Sequence, residues 1–436
     1  MSLRALHGRK VAIWGLGREG LAAVEALRGS AELVVLDDGR GPAGQVNAEA
    51  LALGLPVVPI AEAPARVDAV VRSPGISKYR DDALRLAAAG LDSRCYTALW
   101  LADQELSRVI GVTGTKGKST TSALIAALLE ATGVAARHVG NVGVVPAGDT
   151  ADAPIYVVEL SSYQAADVTA RPATTVLTTL DADHLPWHGS IERYHVDKLN
   201  AVAGPDVRRV VLAAGVAGRA GDVRAAAPAA EVVVAPGDLT WLGLAERDLA
   251  EAVRPAHVQA DLSAAVSAAR GVADLSDAPI RRVAGTFGGL PHRLASIATT
   301  GGVRFVDDSL ASNPLAAVAA IEHFERGDAR YVLLLGGDDR GVDPAVLIDA
   351  LGRARLLRGV VLMDDFGRRL HPLIAGVGVP VVAVLDGIEA AVAAAVAGAA
   401  PGESVVFSPA APTMPADGDY RDRARRFADA ATGSTG

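Results

Sequence analysis

Short continuous apolar runs, rich in β-branched residues, recur along the chain. They fall at 11–14, 33–36, 67–71, 109–112, 156–158, 175–178 and 210–212, and again at 303–306, 331–335, 360–363, 381–385 and 405–407. Between them lie Ala-, Leu-, Arg- and Glu-rich stretches with apolar positions at helical spacing, such as 21–27, 119–129 and 388–396. A strand covered on both faces shows an unbroken apolar run rather than an alternation, and such strands interleaved with helices are the pattern of parallel sheets. The pattern predicts an α/β fold throughout. The polar stretch 102–108 precedes a strand that opens a new motif, and Gly288-Gly289-Leu290-Pro291-His292-Arg293 punctuates the chain before a strand pair. With about 150 residues per domain, this predicts three domains, 1–103, 104–290 and 291–436.

Composition narrows the class. Half of the 436 residues are apolar and 21% are charged, a globular balance that excludes a disordered chain. The one cysteine, Cys95, leaves no intrachain disulfide to form. The N-terminal stretch lacks the apolar core and cleavage site of a signal peptide, and no uncharged apolar run nears the roughly 18 residues of a membrane span. A cytoplasmic location with no membrane partner is therefore expected. Net charge is −8, no basic block exists, and the aromatics are 4 Trp, 7 Tyr and 6 Phe, which argues against a nucleic-acid surface but leaves room for small phosphate pockets. Only five of 42 basic residues are lysines: Lys10, Lys78, Lys116, Lys118 and Lys198. In so arginine-biased a chain, each lysine marks a place where an ammonium fits and a guanidinium does not.

Two glycine-rich loops carry the chemistry. Gly15-Leu16-Gly17-Arg18-Glu19-Gly20 follows the run 11–14 and opens a helix, and a second strand ends in Asp37-Asp38 about 20 residues on. Glycines there allow close backbone approach, the helix N-terminus offers free N–H groups to a phosphate, and the carboxylate suits a ribose hydroxyl. Gly111-Val112-Thr113-Gly114-Thr115-Lys116-Gly117-Lys118-Ser119-Thr120-Thr121 lies between a strand and a helix. Its N–H groups suit phosphates, Lys118 reaches for the terminal phosphates of ATP, and the Ser119 hydroxyl suits magnesium. Val112 stands where the strict phosphate-loop pattern has its first glycine.

The segment Gly114-Thr-x-Gly-Lys-Ser119 resembles the ATP loop of the Mur ligases and folylpolyglutamate synthetases. Other segments then fall into family order over essentially the whole chain. Val158-Glu159-Leu160-Ser161-Ser162-Tyr163-Gln164 resembles the strand-end glutamate motif. Asp183-His184-Leu-Pro-Trp-His188-Gly189 resembles the histidine motif, and Tyr194-His-Val-Asp-Lys198 the modified lysine. Ser73-Pro74-Gly75-Ile76 and Gly140-Asn141-Val-Gly143 resemble nucleotide-sugar contacts, while Leu290-Pro-His-Arg293 and Asp307-Asp308-Ser309 resemble a hinge arginine and a C-terminal aspartate. The resemblance implies a Rossmann-like N-terminal domain, a P-loop ATPase centre and a Rossmann-like C-terminal domain.

It also implies an ATP-dependent amide ligase of peptidoglycan precursor synthesis that adds glutamate to UDP-N-acetylmuramoyl-L-alanine through an acyl phosphate. The catalytic residues it implies are Lys118, Glu159, His184 and Lys198. ATP would meet Gly114, Thr115, Lys116, Gly117, Lys118, Ser119, Thr120, Arg293 and Asp308. The UDP-sugar would meet Gly15, Leu16, Gly17, Asp37, Ser73, Pro74, Gly75 and Asn141. Glutamate would meet Ser312, Arg340, Thr413, Met414 and Tyr420. Two Mg2+ ions would be held by Ser119, Glu159, His184 and a carbamylated Lys198. A monomer is expected. His188, His195 and His257 are taken as surface or structural residues.

The chain departs from the D-glutamate-adding pattern at three points. Leu310 stands in place of a substrate lysine, Asp261 in place of an adenine-contacting asparagine, and Arg340 in place of a further lysine. The segments Trp14–Gly20, Ser73–Arg80 and Thr113–Thr121, with the loss of the lysine at Leu310, resemble the subgroup that adds L-glutamate. A D-glutamate-adding ligase, a folylpolyglutamate synthetase-like ligase and a non-catalytic nucleotide binder are the alternatives, and the unit at residues 15–20 before the ATP loop argues against the second of them.

Overall fold

All but one of the continuous apolar runs become inner strands of three sheets; the run 381–385 becomes an edge strand. The computed structural model describes residues 1–40, 45–141, 144–148, 154–181 and 183–433, so Gly143 lies outside the described residues. Two compact units result, Met1–Phe287 and Gly288–Gly436.

The first unit carries two sheets. One contains β1 (Lys10–Trp14), β2 (Glu32–Asp37), β3 (Val57–Pro59), β4 (Ala69–Arg72) and β5 (Ser93–Arg94) in the order β3-β2-β1-β4-β5, all parallel. The strand order reverses between β1 and β4. The loops after these two strands therefore emerge together at the switch point where α/β sheets bind ligands; the Ser73 hydroxyl donates to the Gly15 carbonyl at 3.0 Å across that gap. The other contains β6 (Val109–Thr113), β7 (Ala136–Gly140), β8 (Ile155–Glu159), β9 (Thr174–Leu177), β10 (Arg209–Leu212) and β11 (Glu231–Val234) in the order β11-β10-β9-β6-β8-β7, also parallel. Here β6 lies between β8 and β9, so the glycine-rich loop after β6 is flanked by Glu159 at the end of β8 and by the segment that follows β9.

These two sheets share buried side chains. Val11 and Ile13 of β1 belong to one apolar cluster with Trp100, Val109, Tyr156 and Val158. Truncating a buried residue of that kind to alanine costs about 2–5 kcal/mol. A buried ion pair also spans them: Arg72 at the end of β4 meets both carboxylate oxygens of Asp167, at 2.9 and 2.7 Å, with both side chains almost fully buried.

The second unit contains β12 (Ala295–Thr300), β13 (Val303–Asp307), β14 (Tyr331–Gly336), β15 (Leu357–Met363), β16 (Val381–Leu385) and β17 (Ser404–Phe407) in the order β12-β13-β17-β14-β15-β16. Only the β12–β13 hairpin is antiparallel. The loops after β13, β17 and β14 leave the same sheet end side by side. Among the described residues, no helix is long and apolar enough to cross a membrane.

Candidate active site

The glycine-rich loop is built around backbone that side chains rarely adopt. Gly114 has φ 148°, and a Cβ there would sit 2.0 Å from the Thr178 hydroxyl oxygen; Gly117 has φ 82°, and its Cβ would sit 2.6 Å from Asp261 Oδ1. Gly117 caps the helix Lys118–Ala131, so the first-turn N–H groups of Lys118, Ser119 and Thr120 have no earlier helical carbonyl to bond. The loop is tied to the segment after β9: Thr115 N donates to the Thr179 carbonyl at 2.9 Å, and Lys116 N donates to the Thr179 hydroxyl at 2.8 Å.

Two lysines converge on one carbonyl. Lys118 Nζ donates to the carbonyls of Gly114 and Thr115 at 2.9 and 3.0 Å, and Lys198 Nζ donates to the same Gly114 oxygen at 2.9 Å. Lys198 lies on the helix Ile191–Leu199 and is 1% exposed. Burial, reinforced by the nearby Lys118 charge, pushes its amine well below the ordinary lysine range, against the opposing pull of Asp183 and Glu159.

Glu159 is also 1% exposed. One carboxylate oxygen accepts from the Asn141 amide at 2.8 Å; the other, Oε2, is buried with no hydrogen-bond partner among the described residues. A buried carboxylate oxygen of this kind is costly unless something cationic meets it, and a hard oxygen donor suits magnesium. Among the described residues, no group of three or more His, Cys, Asp and Glu stands together to hold a metal. A magnesium ion here would take its remaining ligands from phosphate oxygens and water, as this ion ordinarily does. His184 adopts φ 52° and packs on Tyr163 with ring centroids 5.0 Å apart. Burial lowers its pKa, with Asp183 opposing, which leaves a neutral imidazole.

At the first sheet's switch point, Asp37 accepts from Gly39 N at 2.9 Å, and Asp38 accepts from the Trp14 indole at 3.1 Å and from Arg80 at 2.8 Å. Asn141, expected at the nucleotide sugar, donates its side-chain amide to Glu159 at 2.8 Å. Residues that motif reading did not single out hold these loops. Glu19, whose carboxyl is raised by burial, accepts from Thr97 N at 2.9 Å and from the Gln164 amide at 2.5 Å. Gln164 in turn closes a capping box with Ser161 at the start of the helix Ser162–Asp167, just beyond Glu159. Their signal in the sequence was only a glutamate within the first glycine motif and a glutamine at the end of the glutamate motif.

In the second unit, the arginine that gathers the loops is Arg423. It is 5% exposed, and its guanidinium donates to the carbonyls of Ala411 at 3.1 Å, Pro412 at 3.2 Å, Ser309 at 3.3 Å and Gly336 at 3.5 Å. These carbonyls belong to the last residue of β14 and to the segments after β13 and β17. Buried side-chain oxygens of Ser309 and Thr413 have no hydrogen-bond partner among the described residues. Arg340 is exposed and pairs with Asp338 at 3.0 Å. Ser312 is exposed and Met414 half-buried, while Tyr420 packs edge-on to His292 at 5.6 Å. Asp308 accepts from the Ser408 hydroxyl at 2.6 Å and from Leu294 N at 3.2 Å; burial pushes its carboxyl up to about 7. Arg293 is exposed, between two residues of positive φ, His292 and Leu294.

Residues 112–214 match the Mur ligase middle domain, and residues 292–411 match the Mur ligase glutamate ligase domain. A protein of Micromonospora sp. named UDP-N-acetylmuramoyl-L-alanine–L-glutamate ligase is 40% identical over 456 aligned residues, covering 100% of this chain and 99% of its own. The chain belongs to the Mur ligase family. A Xanthomonas euvesicatoria protein of the same name is 36% identical over 470 aligned residues, covering 99% of this Mur ligase and 97% of its own length. In fold, the chain is similar to the UDP-N-acetylmuramate–alanine ligase of Thermotoga maritima, with a TM-score of 0.55 at 16% identity over 98% of this chain and 100% of that one. The middle-domain match spans the phosphate loop, Glu159, His184 and Lys198. The second match spans Arg293, Asp308, Ser312 and Arg340 and stops before Thr413, Met414 and Tyr420.

Proposed function

We propose that this Mur ligase joins L-glutamate to the alanyl carboxylate of UDP-N-acetylmuramoyl-L-alanine. The observation that carries the chemistry is the convergence of Lys118 and Lys198 on the Gly114 carbonyl beside the unpartnered Glu159 oxygen: a phosphate loop that brings together a lysine for the phosphates, a buried amine and a waiting carboxylate. The substrate carboxylate attacks the γ-phosphorus of ATP, forming an acyl phosphate as the bond to ADP breaks. The glutamate amine then attacks the acyl carbon and gives up a proton, the amide C–N bond forms, and the acyl C–O bond breaks with its electron pair leaving on phosphate. Lys118 and the first-turn N–H groups stabilise the charge that spreads over the transferring phosphoryl oxygens. Glu159, Ser119 and His184 would hold magnesium, which would supply further positive charge there; we propose two ions.

A neutral Lys198 amine is the form that attacks carbon dioxide, forming an N–C bond and releasing a proton to leave a carbamate. We assign that modification to Lys198, which turns a buried amine into an anionic ligand. Gly15, Leu16, Gly17, Asp37, Ser73, Pro74, Gly75 and Asn141 are assigned to the UDP-sugar. Arg293 and Asp308 are assigned to the nucleotide, and Ser312, Arg340, Thr413, Met414 and Tyr420 to glutamate, in a monomer divided at 104 and 291.

Two observations favour the L-enantiomer: relatives covering the full length carry that name, and Leu310 offers no charge. Losing one charge-assisted contact costs a D-glutamate pose about 1.5–3 kcal/mol, or about one to two decades in affinity. The test is ADP release dependent on both UDP-N-acetylmuramoyl-L-alanine and glutamate. L-glutamate is expected to give kcat/KM at least about tenfold above D-glutamate. A clear preference for D-glutamate would overturn the enantiomer assignment, and ADP release independent of either substrate would overturn the ligase.

A further inference from the structure

His188 is the most enclosed histidine near the site and belongs to no step above. It is 1% exposed. Its Nδ1 lies 2.7 Å from Asp197 Oδ2 and its Nε2 2.9 Å from the Ser162 hydroxyl. An ionised carboxylate can only accept, so Nδ1 donates to Asp197 and, in the neutral ring, Nε2 accepts from Ser162. The other Asp197 oxygen accepts from the Tyr79 hydroxyl at 2.6 Å. Ser162 is 2% exposed with its hydroxyl committed to His188, so the trio braces the fold rather than supplying a nucleophile.

The three elements this chain joins each carry one of the groups placed at the phosphates. Ser162 follows Glu159 by three residues, His188 follows His184 by four, and Asp197 immediately precedes Lys198. On the helix Ile191–Leu199, Tyr194, Asp197 and Lys198 share one buried face, at i, i+3 and i+4. Tyr194 is bonded to the Thr115 hydroxyl of the phosphate loop at 2.7 Å, lies edge-on to His188 at 5.1 Å, and has Lys198 Nζ 5.0 Å from its ring.

We propose that Asp197 and His188 are positioning residues for ligation: the chain Asp197–His188–Ser162, braced by Tyr79, fixes the roll of the helix that carries Lys198. The proposal rests on the role given to Lys198 above. Side chains of a helix end about 6 Å from its axis, so a roll of about 10° displaces Lys198 Nζ by about 1 Å. A displacement of that size costs catalysis on the order of 10²-fold. Tyr79 lies just beyond the nucleotide-sugar loop of the first sheet, and Ser77 and Trp187 tie the same two segments: the Ser77 hydroxyl donates to the Trp187 carbonyl at 2.6 Å, and the Trp187 indole donates to the Pro74 carbonyl at 2.9 Å. The brace therefore holds the helix against the sugar loop.

The test uses His188→Gln, Asp197→Asn, their combination, Asp197→Glu, and the milder Tyr79→Phe and Ser162→Ala, each measured for kcat, for KM of each substrate, for ADP affinity by calorimetry and for melting temperature. Expected for folded His188→Gln and Asp197→Asn is a kcat reduced by at least about 30-fold, with KM values and ADP affinity within about threefold. The double variant is expected to be no worse than the worse single one, because both remove one chain, and Asp197→Glu is expected to recover part of the rate. If the larger variants do not fold, a kcat loss of about three- to tenfold in Tyr79→Phe and Ser162→Ala carries the same conclusion. An active Lys198→Ala enzyme would remove the reading beneath the proposal. An inactive Lys198→Ala enzyme alongside folded variants of near-normal kcat, losses confined to KM, or losses that multiply in the double variant would overturn the proposal itself.

Discussion

Asp308 should make the second unit lose stability as the solution becomes alkaline. Its carboxyl is buried, flanked by Asp307 and raised to about 7, while the Ser408 hydroxyl, Leu294 N and Arg293 pull only partly the other way. In the unfolded chain it titrates near 3.8. Below about pH 4 both states hold the proton, so the group is neutral to stability. Between about 4 and 7 the folded state binds a proton that the unfolded state has released, and stability falls by about 1.4 kcal/mol per pH unit. Above 7 the full cost of about 4 kcal/mol is present, a large share of a domain's typical 5–15 kcal/mol.

Asp308→Asn mimics the protonated form. Its carbonyl oxygen can still accept from Leu294 N, and the Ser408 hydroxyl rotates to accept from the amide. The variant should therefore be more stable than the parent at pH 8 and nearly equal at pH 4.5. For a unit of this length, each kcal/mol moves the midpoint by about 2–4 °C, so a gain of roughly 8–16 °C is expected at pH 8. Scanning calorimetry at pH 4.5, 6 and 8 on both proteins is the assay, with ADP release followed in parallel; activity should fall even as stability rises, because Asp308 is assigned to the nucleotide. A parent and variant whose midpoints run parallel across this pH range would refute the reasoning.

Lys118→Ala should abolish ADP release and ligation while moving the melting temperature by only a few degrees, since the Lys118 bonds described here end on loop carbonyls; near-normal turnover would remove the assignment of the phosphate loop. Lys198→Ala should be inactive and partly restored by acetate or formate, which resupply an anion, whereas full activity in Lys198→Arg would show that a positive charge suffices. Arg423→Lys should raise the glutamate KM at least about tenfold and lower the melting temperature, because one ammonium cannot span carbonyls on three segments as a guanidinium fork does; an unchanged KM in a folded variant would show that those loops do not need the clamp.

The strands that the hydrophobic pattern picked out and those it missed separate by position in the sheet. The strands without a predicted counterpart are β3, β5, β7, β11 and β12, and each lies at an edge of its sheet. An edge strand is half-covered and need not be apolar: β7 includes Arg137 and His138, β12 is largely Ser, Ala and Thr, and β3 ends in a proline that a central strand would not accept. Inner strands such as β14 and β17 are buried at every position, and their composition follows. The edge strand that was predicted, β16, is Val-Val-Ala-Val-Leu, apolar although fully buried at none of its positions.

The site separates along a similar line. Residues suited to touching ligand sit at the ends of inner strands and in the turns that follow, so they appear as contiguous motifs, and Gly114, Lys118 and Glu159 could be read one after another. Residues that hold those motifs in place work in pairs whose members are far apart in sequence: Arg72 with Asp167, Glu19 with Gln164, Tyr79 with Asp197. Each half alone looks like an ordinary solvated polar residue, because burial of a charge is tolerated only when its partner arrives, and the partner is set by the fold rather than by the neighbourhood in the chain. Asn141 shows the consequence. Its motif pointed to the sugar, but the unpartnered Glu159 beside it was invisible until β7 and β8 paired in register, with Gly140 opposite Glu159. That register turns the Asn141 amide onto one carboxylate oxygen and leaves the other free for a cation, so the pairing of an edge strand decides how the metal ligand is presented.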